Sequence, residues 1–357
     1  MSRPKENTVE ESEYLPGIGV DVGTANIVIC RQKKDNSFEA KYHRNMLFEM
    51  DVSEEADSVL ERGNYLYIKA DNKYYIIGED ALTIVNAIGR GEIIRPMKEG
   101  LINPNLKKAQ QLLNFILKTI VGSPIIENEP LRFSVPANPV DVPDKNNMFH
   151  DMMLNSFFTG LGFSAKAINE GRACLFNESP VMTTESGEKI PLTGWGISCG
   201  GGMVNSSIAV RGLPITEFSI TKSGDYIDKQ VQMVTNEQLA KIIKTKEKKL
   251  DLSNVDMGDN IQPALSVYYD EFMTRVIKTA FDELRKNKHE FEGPMPVVIC
   301  GGTSMAKGFI DRFNSHVKKA ELPFDISSVT LSAAPFYAVS QGACLSARSD
   351  YNKLMKG

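Results

Sequence analysis

Short apolar runs bounded by glycine, asparagine and proline alternate along this chain with stretches whose apolar residues recur every three to four positions. That rhythm predicts strands interleaved with helices. Residues 18–22 and 27–30 are β-branched runs flanking Gly23-Thr24-Ala25-Asn26, which predicts a hairpin. A second hairpin is expected from 65–68 and 74–77 around the turn residues 70–73, followed by a helix opening at Gly78-Glu79-Asp80-Ala81. Leu106, Ala109, Leu113, Ile116, Leu117 and Ile120 predict a helix over 104–121, with Asn103 as its cap. Residues 132–135 read as a short strand, and 147–161 as a helix with Met148, Met152 and Leu161 on its apolar stripe. Residues 194–210 supply two strands around a triple glycine. The longest helix is expected at 261–284, striped by Leu265, Tyr269, Phe272, Val276, Ala280 and Phe281. A buried strand at 296–300 and a helix at 307–317 complete an α/β pattern.

At 357 residues the chain exceeds the usual single core, so two lobes are expected. A hydrophobic share of 42%, a charged share of 24% and a net charge of −4 give no basic footprint for nucleic acid. The lysine-rich stretch 241–249 has no interleaved aromatic residues and reads as a solvated helix face. Cys30, Cys174, Cys199, Cys300 and Cys344 are scattered and form no zinc pattern, which fits reduced thiols and a cytoplasmic setting. Residues 1–16 read as a disordered polar tail. Neither they nor the C-terminal 351–357 form an amphipathic anchor, so no direct membrane insertion is expected.

Three glycine turns carry the candidate chemistry: Asp21-Val22-Gly23-Thr24, Gly200-Gly201-Gly202 and Gly301-Gly302-Thr303, each directly after a strand-forming run. Without a Cβ the backbone approaches a ligand closely, and its N–H groups converge on an anion. Turns this far apart in sequence meet only in a folded protein, which points to a nucleotide clamped between two lobes.

This order of parts resembles the actin and sugar-kinase superfamily of ATPases and, within it, bacterial actin-like filament proteins of the MreB and MamK type. Gly19-Val20-Asp21-Val22-Gly23-Thr24 resembles the first phosphate motif, Asn169-Glu170-Gly171-Arg172-Ala173-Cys174 the helix start bearing the catalytic acid, and Gly200-Gly201-Gly202 the second phosphate motif. Val298-Ile299-Cys300-Gly301-Gly302-Thr303-Ser304 resembles the adenosine motif. The resemblance implies a two-lobed actin-like fold, each lobe a mixed sheet of the ribonuclease-H-like type with flanking helices. Lobe I would span 17–194 and 335–357 with a small insert at about 45–77; lobe II would span 195–334 with a small insert at about 229–262.

It also implies a site for ATP or ADP with Mg2+. Asp21 would hold metal-bound water, Gly23 and Thr24 the β-phosphate, and Glu170 the attacking water. Ser198, Gly200, Gly201 and Gly202 would form the second phosphate loop, Glu237 and Lys241 would meet ribose and base, and Gly301, Gly302 and Thr303 the nucleoside. Each position has a plainer alternative: a turn acid at Asp21, a helix-start acid at Glu170, an exposed ion pair at Glu237 and Lys241, and a tight strand-to-helix connection at Gly301.

The second loop departs from the family pattern, with Ser198 where an aspartate is usual, Met203 and Val204 where threonines are usual, and Gly171 in place of the proline after the acid. The expectation is nucleotide binding with slow or impaired hydrolysis, since one missing electrostatic contact costs roughly 10²–10³ in rate. The implied role is a cytoskeletal filament formed by self-association, engaging cargo or adaptor proteins, with MamK-like positioning of organelles such as magnetosomes the nearer analogy. The alternatives are a non-polymerising adaptor of the FtsA or PilM kind and, further off, a small-molecule kinase.

Overall fold

The computed structural model describes residues 12–88, 91–287, 291–320 and 322–356. Strands β1 (Tyr14–Val22), β2 (Asn26–Lys33) and β3 (Phe38–Arg44) form an antiparallel meander. The expected first hairpin is present. Because Tyr14 already pairs with Lys33, residues 14–16 belong to the sheet and not to a tail; residues 1–11 lie outside the described residues.

Strand β4 (Leu47–Asp51), helix α1 (Glu54–Gly63), strands β5 (Tyr67–Ala70) and β6 (Lys73–Ile77), helix α2 (Glu79–Ile88) and strand β7 (Ile93–Ile94) form a separate antiparallel unit in the order β5-β6-β4-β7. This unit runs to Ile94, well past the expected limit near 77. Asp71 and Asn72 turn the β5–β6 hairpin with φ of 51° and 57°, the left-handed pair that a two-residue hairpin turn requires. Tyr74 and Ile76 of β6 face a small core with Phe48 and Leu60, whereas Tyr75 and Ile77 face the main core of lobe I. Burial on both faces explains the unbroken apolar run.

After the short hairpin β8 (Met97–Lys98) and β9 (Leu101–Ile102), helix α3 (Ala109–Val121) starts later than the spacing suggested. Asn103 accepts a hydrogen bond from the Asn105 amide at 3.1 Å, which makes a local turn and not a helix cap. Strand β10 (Pro130–Ser134), helix α4 (Met148–Gly160) and strand β11 (Ser164–Ile168) complete the first sheet, in the order β11-β10-β1-β2-β3, with β1, β10 and β11 parallel. Helix α4 is where expected, but with a different face inward. His150, Met153, Leu154 and Phe158 are buried, while Met148 and Met152 are 67% and 64% exposed.

Helix α5 (Glu170–Glu178) and the hairpin β12 (Val181–Thr183) and β13 (Lys189–Pro191) lead into a second meander, β14 (Gly194–Cys199), β15 (Val204–Val210) and β16 (Leu213–Ile220). Helices α6 (Gly224–Thr235), α7 (Leu239–Lys248) and α8 (Gln262–Asn287) precede β17 (Met295–Cys300), helix α9 (Phe309–Val317), β18 (Ile326–Leu331) and the closing helix α10 (Ala338–Leu354). The second sheet has the order β16-β15-β14-β17-β18, with β14, β17 and β18 parallel. It repeats the plan of the first: a three-strand meander extended by two parallel strands.

Each sheet has its own apolar core, and a third cluster, including Ala173, Cys174, Val298 and Ala343, lies where α5 and α10 meet. Helix α10 packs on β1 and β10, whereas α5 packs on β14 and β15. The second lobe's packing therefore begins at α5, earlier than a boundary at 194/195. All five cysteines are free and buried. Helix α7 buries Ile242 and Thr245 and leaves Lys241, Lys244, Lys248 and Lys249 in solvent, as expected of a solvated face. No described helix is long and apolar enough to cross a membrane.

Candidate functional site

The repeated plan places equivalent turns opposite one another. The first follows β1, the second follows β14, and the third follows β17, the parallel neighbour of β14. Asp21 is half-buried at the end of β1. Ser134, at the end of the neighbouring parallel strand, accepts from the Val22 amide at 2.8 Å and donates to Asp21 Oδ1 at 2.8 Å. Gly23 N–H donates to the Asn26 carbonyl at 3.0 Å, and Asn45 holds the Gly23 carbonyl at 2.9 Å. Thr24 Oγ1 accepts from the Gly100 amide at 2.8 Å, which fixes the turn against the β8–β9 hairpin.

The three turns meet. A Cβ added to Gly202 would stand 2.6 Å from Thr24 Oγ1, so glycine there allows the first and second turns to approach across the cleft. The Gly200 carbonyl accepts from Thr303 Oγ1 at 2.8 Å and from Ser223 Oγ at 2.5 Å, tying the second turn to the third. Gly301 has φ of 93°, and a Cβ there would collide with the Cys199 carbonyl at 2.4 Å; the space beside Gly302 is open. The lobes are also clasped behind the turns. Asp141 accepts from the Thr221 amide at 3.0 Å and its hydroxyl at 2.9 Å, and the Val140 amide donates to the Ser219 carbonyl at 3.0 Å.

Glu170 is the first residue of α5, whose cap is Asn169 Oδ1 accepting from the Gly171 and Arg172 amides at 2.8 and 3.3 Å. Ser198 Oγ donates to Glu170 Oε2 at 2.8 Å. Burial and the nearby Asp21 charge push the Glu170 carboxyl up to about 8, although Ser198 and Asn205 oppose the shift. Burial also pushes Asp21 up to about 6, opposed by Ser134. The two carboxyls are thus both held above the ordinary carboxylate range and titrate as an interacting pair. Val204 is buried in the core of the second lobe and Met203 is buried against Gly100 of the β8–β9 hairpin, so neither threonine position offers a hydroxyl to the cleft. A Cβ on Gly171 would stand 2.6 Å from both the Gly196 carbonyl and the Ser207 amide, which explains why proline is absent here.

Glu237 and Lys241 form an i,i+4 ion pair at 2.8 Å, with Asn260 donating to Glu237 at 3.1 Å; among the described residues neither bonds to the three turns. The lysine that reaches toward the second turn is Lys246, paired with buried Asp228 at 2.6 Å and with the Gly224 carbonyl at 3.3 Å. Ser134, Ser223 and Gly100 were likewise missed. Their roles depend on pairings between distant strands, and only Ser134, ending a strand-like run, carries a local signal. Among the described residues no three His, Cys, Asp or Glu side chains gather as a metal cluster. Asp21 and Glu170 still supply oxygen donors suited to a hard cation that retains its water.

Two repeated mixed sheets, joined by α5 and α10 and meeting through the three glycine turns, define the actin-like two-lobed fold. The chain belongs to the Volactin family, whose model matches residues 17–347. No curated protein sequence matches it. MreB5 of Spiroplasma citri, solved bound to AMPPNP, is similar at a TM-score of 0.65 and 14% identity, covering 97% of this chain and 100% of that one. MamK, solved as a double helical filament, is similar at a TM-score of 0.63 and 14% identity over 95% and 98% of the two chains. EutJ from Carboxydothermus hydrogenoformans is similar at 0.51 and 13% identity over 94% and 91%.

Proposed function

We propose that this protein is a nucleotide-binding actin-like subunit that self-associates into filaments and hydrolyses ATP slowly. The reading rests chiefly on the convergence of three cradles, with Gly202 against Thr24 and Thr303 bound to Gly200. The Thr24, Gly201 and Gly202 amides would hold the phosphates, those of Gly23 and Gly200 being bonded to Asn26 and Met203, and the open side of Gly302 would receive the nucleoside. Asp21 would hold water on a divalent cation, which when bound supplies charge neutralisation to the phosphates. Glu170 would orient the attacking water, and Ser198 holds that carboxyl in place.

Slow turnover follows from the same residues. Ser198 contributes no charge, and burial beside Asp21 disfavours the ionised form of Glu170 that would accept from the attacking water. Fold similarity to MamK and MreB5 supports assembly, and a cytoplasmic scaffold or track with cargo or adaptor partners is the corresponding role. Sedimentation and negative-stain microscopy with ATP, AMPPNP and no nucleotide test the reading. Polymer with both nucleotides and slow phosphate release are expected. Monomer under every condition would favour the non-polymerising adaptor suggested by Ser198, and rapid turnover would refute the impaired-hydrolysis claim.

A further inference from the structure

The outward side of α4 is apolar at its start, where a solvent-facing helix ordinarily carries polar residues. Met148, Phe149 and Met152 are 67%, 61% and 64% exposed. At helical spacing the three share an arc of about 100°, so they form one ridge. The core does not need them, because Met153, Leu154 and Phe158 already fill lobe I from the other side of α4. Beside the ridge lies a groove of about 480 Å3, walled by Leu101 and Ile102 of the β8–β9 hairpin and by Val142 and Phe149. Contiguous exposed apolar surface of this kind marks an interaction site.

A ridge next to a groove is complementary to itself: when two copies meet about a two-fold axis, each ridge enters the other's groove. The charges repeat that logic. Lys98 on the hairpin and Asp144 before α4 are both exposed on the groove, and neither forms an ion pair with any described residue. Lys145 and Glu99 there are paired with each other at 3.0 Å. The rim thus carries one uncommitted charge of each sign. A lipid surface fits it less well, since anionic headgroups attract clustered cations and repel the acid.

We propose that this face is a contact between two copies of this chain, an isologous dimer in which Met148 and Met152 of each copy pack into the groove of the other and each Lys98 meets the other copy's Asp144. Methionine suits such a seat, because its unbranched thioether adapts to irregular walls. None of the residues of the three glycine turns lines the groove, so the contact forms without nucleotide and does not rest on the nucleotide reading.

Sedimentation velocity of the full-length, nucleotide-free protein tests the contact, and wild type should dimerise as concentration rises. Met152→Lys should weaken dimerisation at least about tenfold with thermal denaturation unchanged, since the side chain it replaces is exposed in the monomer. Lys98→Glu and Asp144→Lys should each weaken it, and the double reversal should restore it. All five native cysteines are buried, so Met148→Cys supplies the reactive thiol. Under diamide that thiol should link to its own copy across the two-fold axis, whereas Leu213→Cys on β16, 70% exposed, should not. Monomer at every concentration would overturn the proposal, as would a dimer undiminished by Met152→Lys or equal cross-linking through position 213. Monomer that binds anionic vesicles, and loses them in Phe149→Glu, would overturn it in favour of a lipid surface.

Discussion

Glu170 and Asp21 are neighbouring carboxyls that burial raises above the ordinary carboxylate range, Glu170 further through the Asp21 charge. A carboxyl raised by folding contributes stability below its unfolded value and loses it as pH rises through the folded value. For Glu170 that window runs from about 4.5 to about 8. Glu170→Gln cannot ionise, so its melting temperature should match wild type below this window and exceed it above, as thermal denaturation across pH will show. The same variant should lose roughly 10²-fold or more of any hydrolysis while still binding nucleotide, checked by single-turnover phosphate release and by calorimetry. Ser198→Ala removes a donor to the Glu170 carboxylate and should move the acid limb of the hydrolysis profile to higher pH. Asp21 and the glycines were legible because each follows a strand-forming run, whereas Glu170 was reached through the family resemblance of the 169–174 segment. The environment that tunes them was not, since Ser134 and Ser198 act through strand pairing and a cross-element hydrogen bond.

Among the elements, α5 is held by close backbone approach. Gly171→Ala should destabilise the protein by about 1–3 kcal/mol, because backbone atoms of β14 and β15 cannot yield as a flexible side chain can. The start of β1 is held by Glu129, fully buried, which accepts from the Gly17 amide at 2.9 Å and from Arg31 at 2.6 and 3.2 Å. Arg31→Ala leaves that carboxylate uncompensated and should cost about 3–5 kcal/mol in chemical denaturation. Element type and order were largely readable from periodicity; faces and ends were less so. In α4 apolar residues occur on several sides, so Met148 and Met152 competed with Met153 and Leu154, and tertiary packing chose the latter. The late start of α3 reflects the local turn at Asn103, which propensity alone does not reveal.

For the whole molecule, two lobes followed from length and from three separated turns, but the exact repetition of strand order required the pairings themselves. The insertion was underestimated because its β7 strand, Ile93–Ile94, is too short to register as a period. The central claim is that a nucleotide spans the turns of both lobes. Titration calorimetry of Mg-ATP into wild type and Gly202→Val tests it most directly, because a side chain at 202 would collide with Thr24 and push the first and second turns apart. Saturable binding by wild type and its loss in a folded Gly202→Val protein are predicted; absence of binding to wild type, or undiminished binding to the variant, would contradict the account.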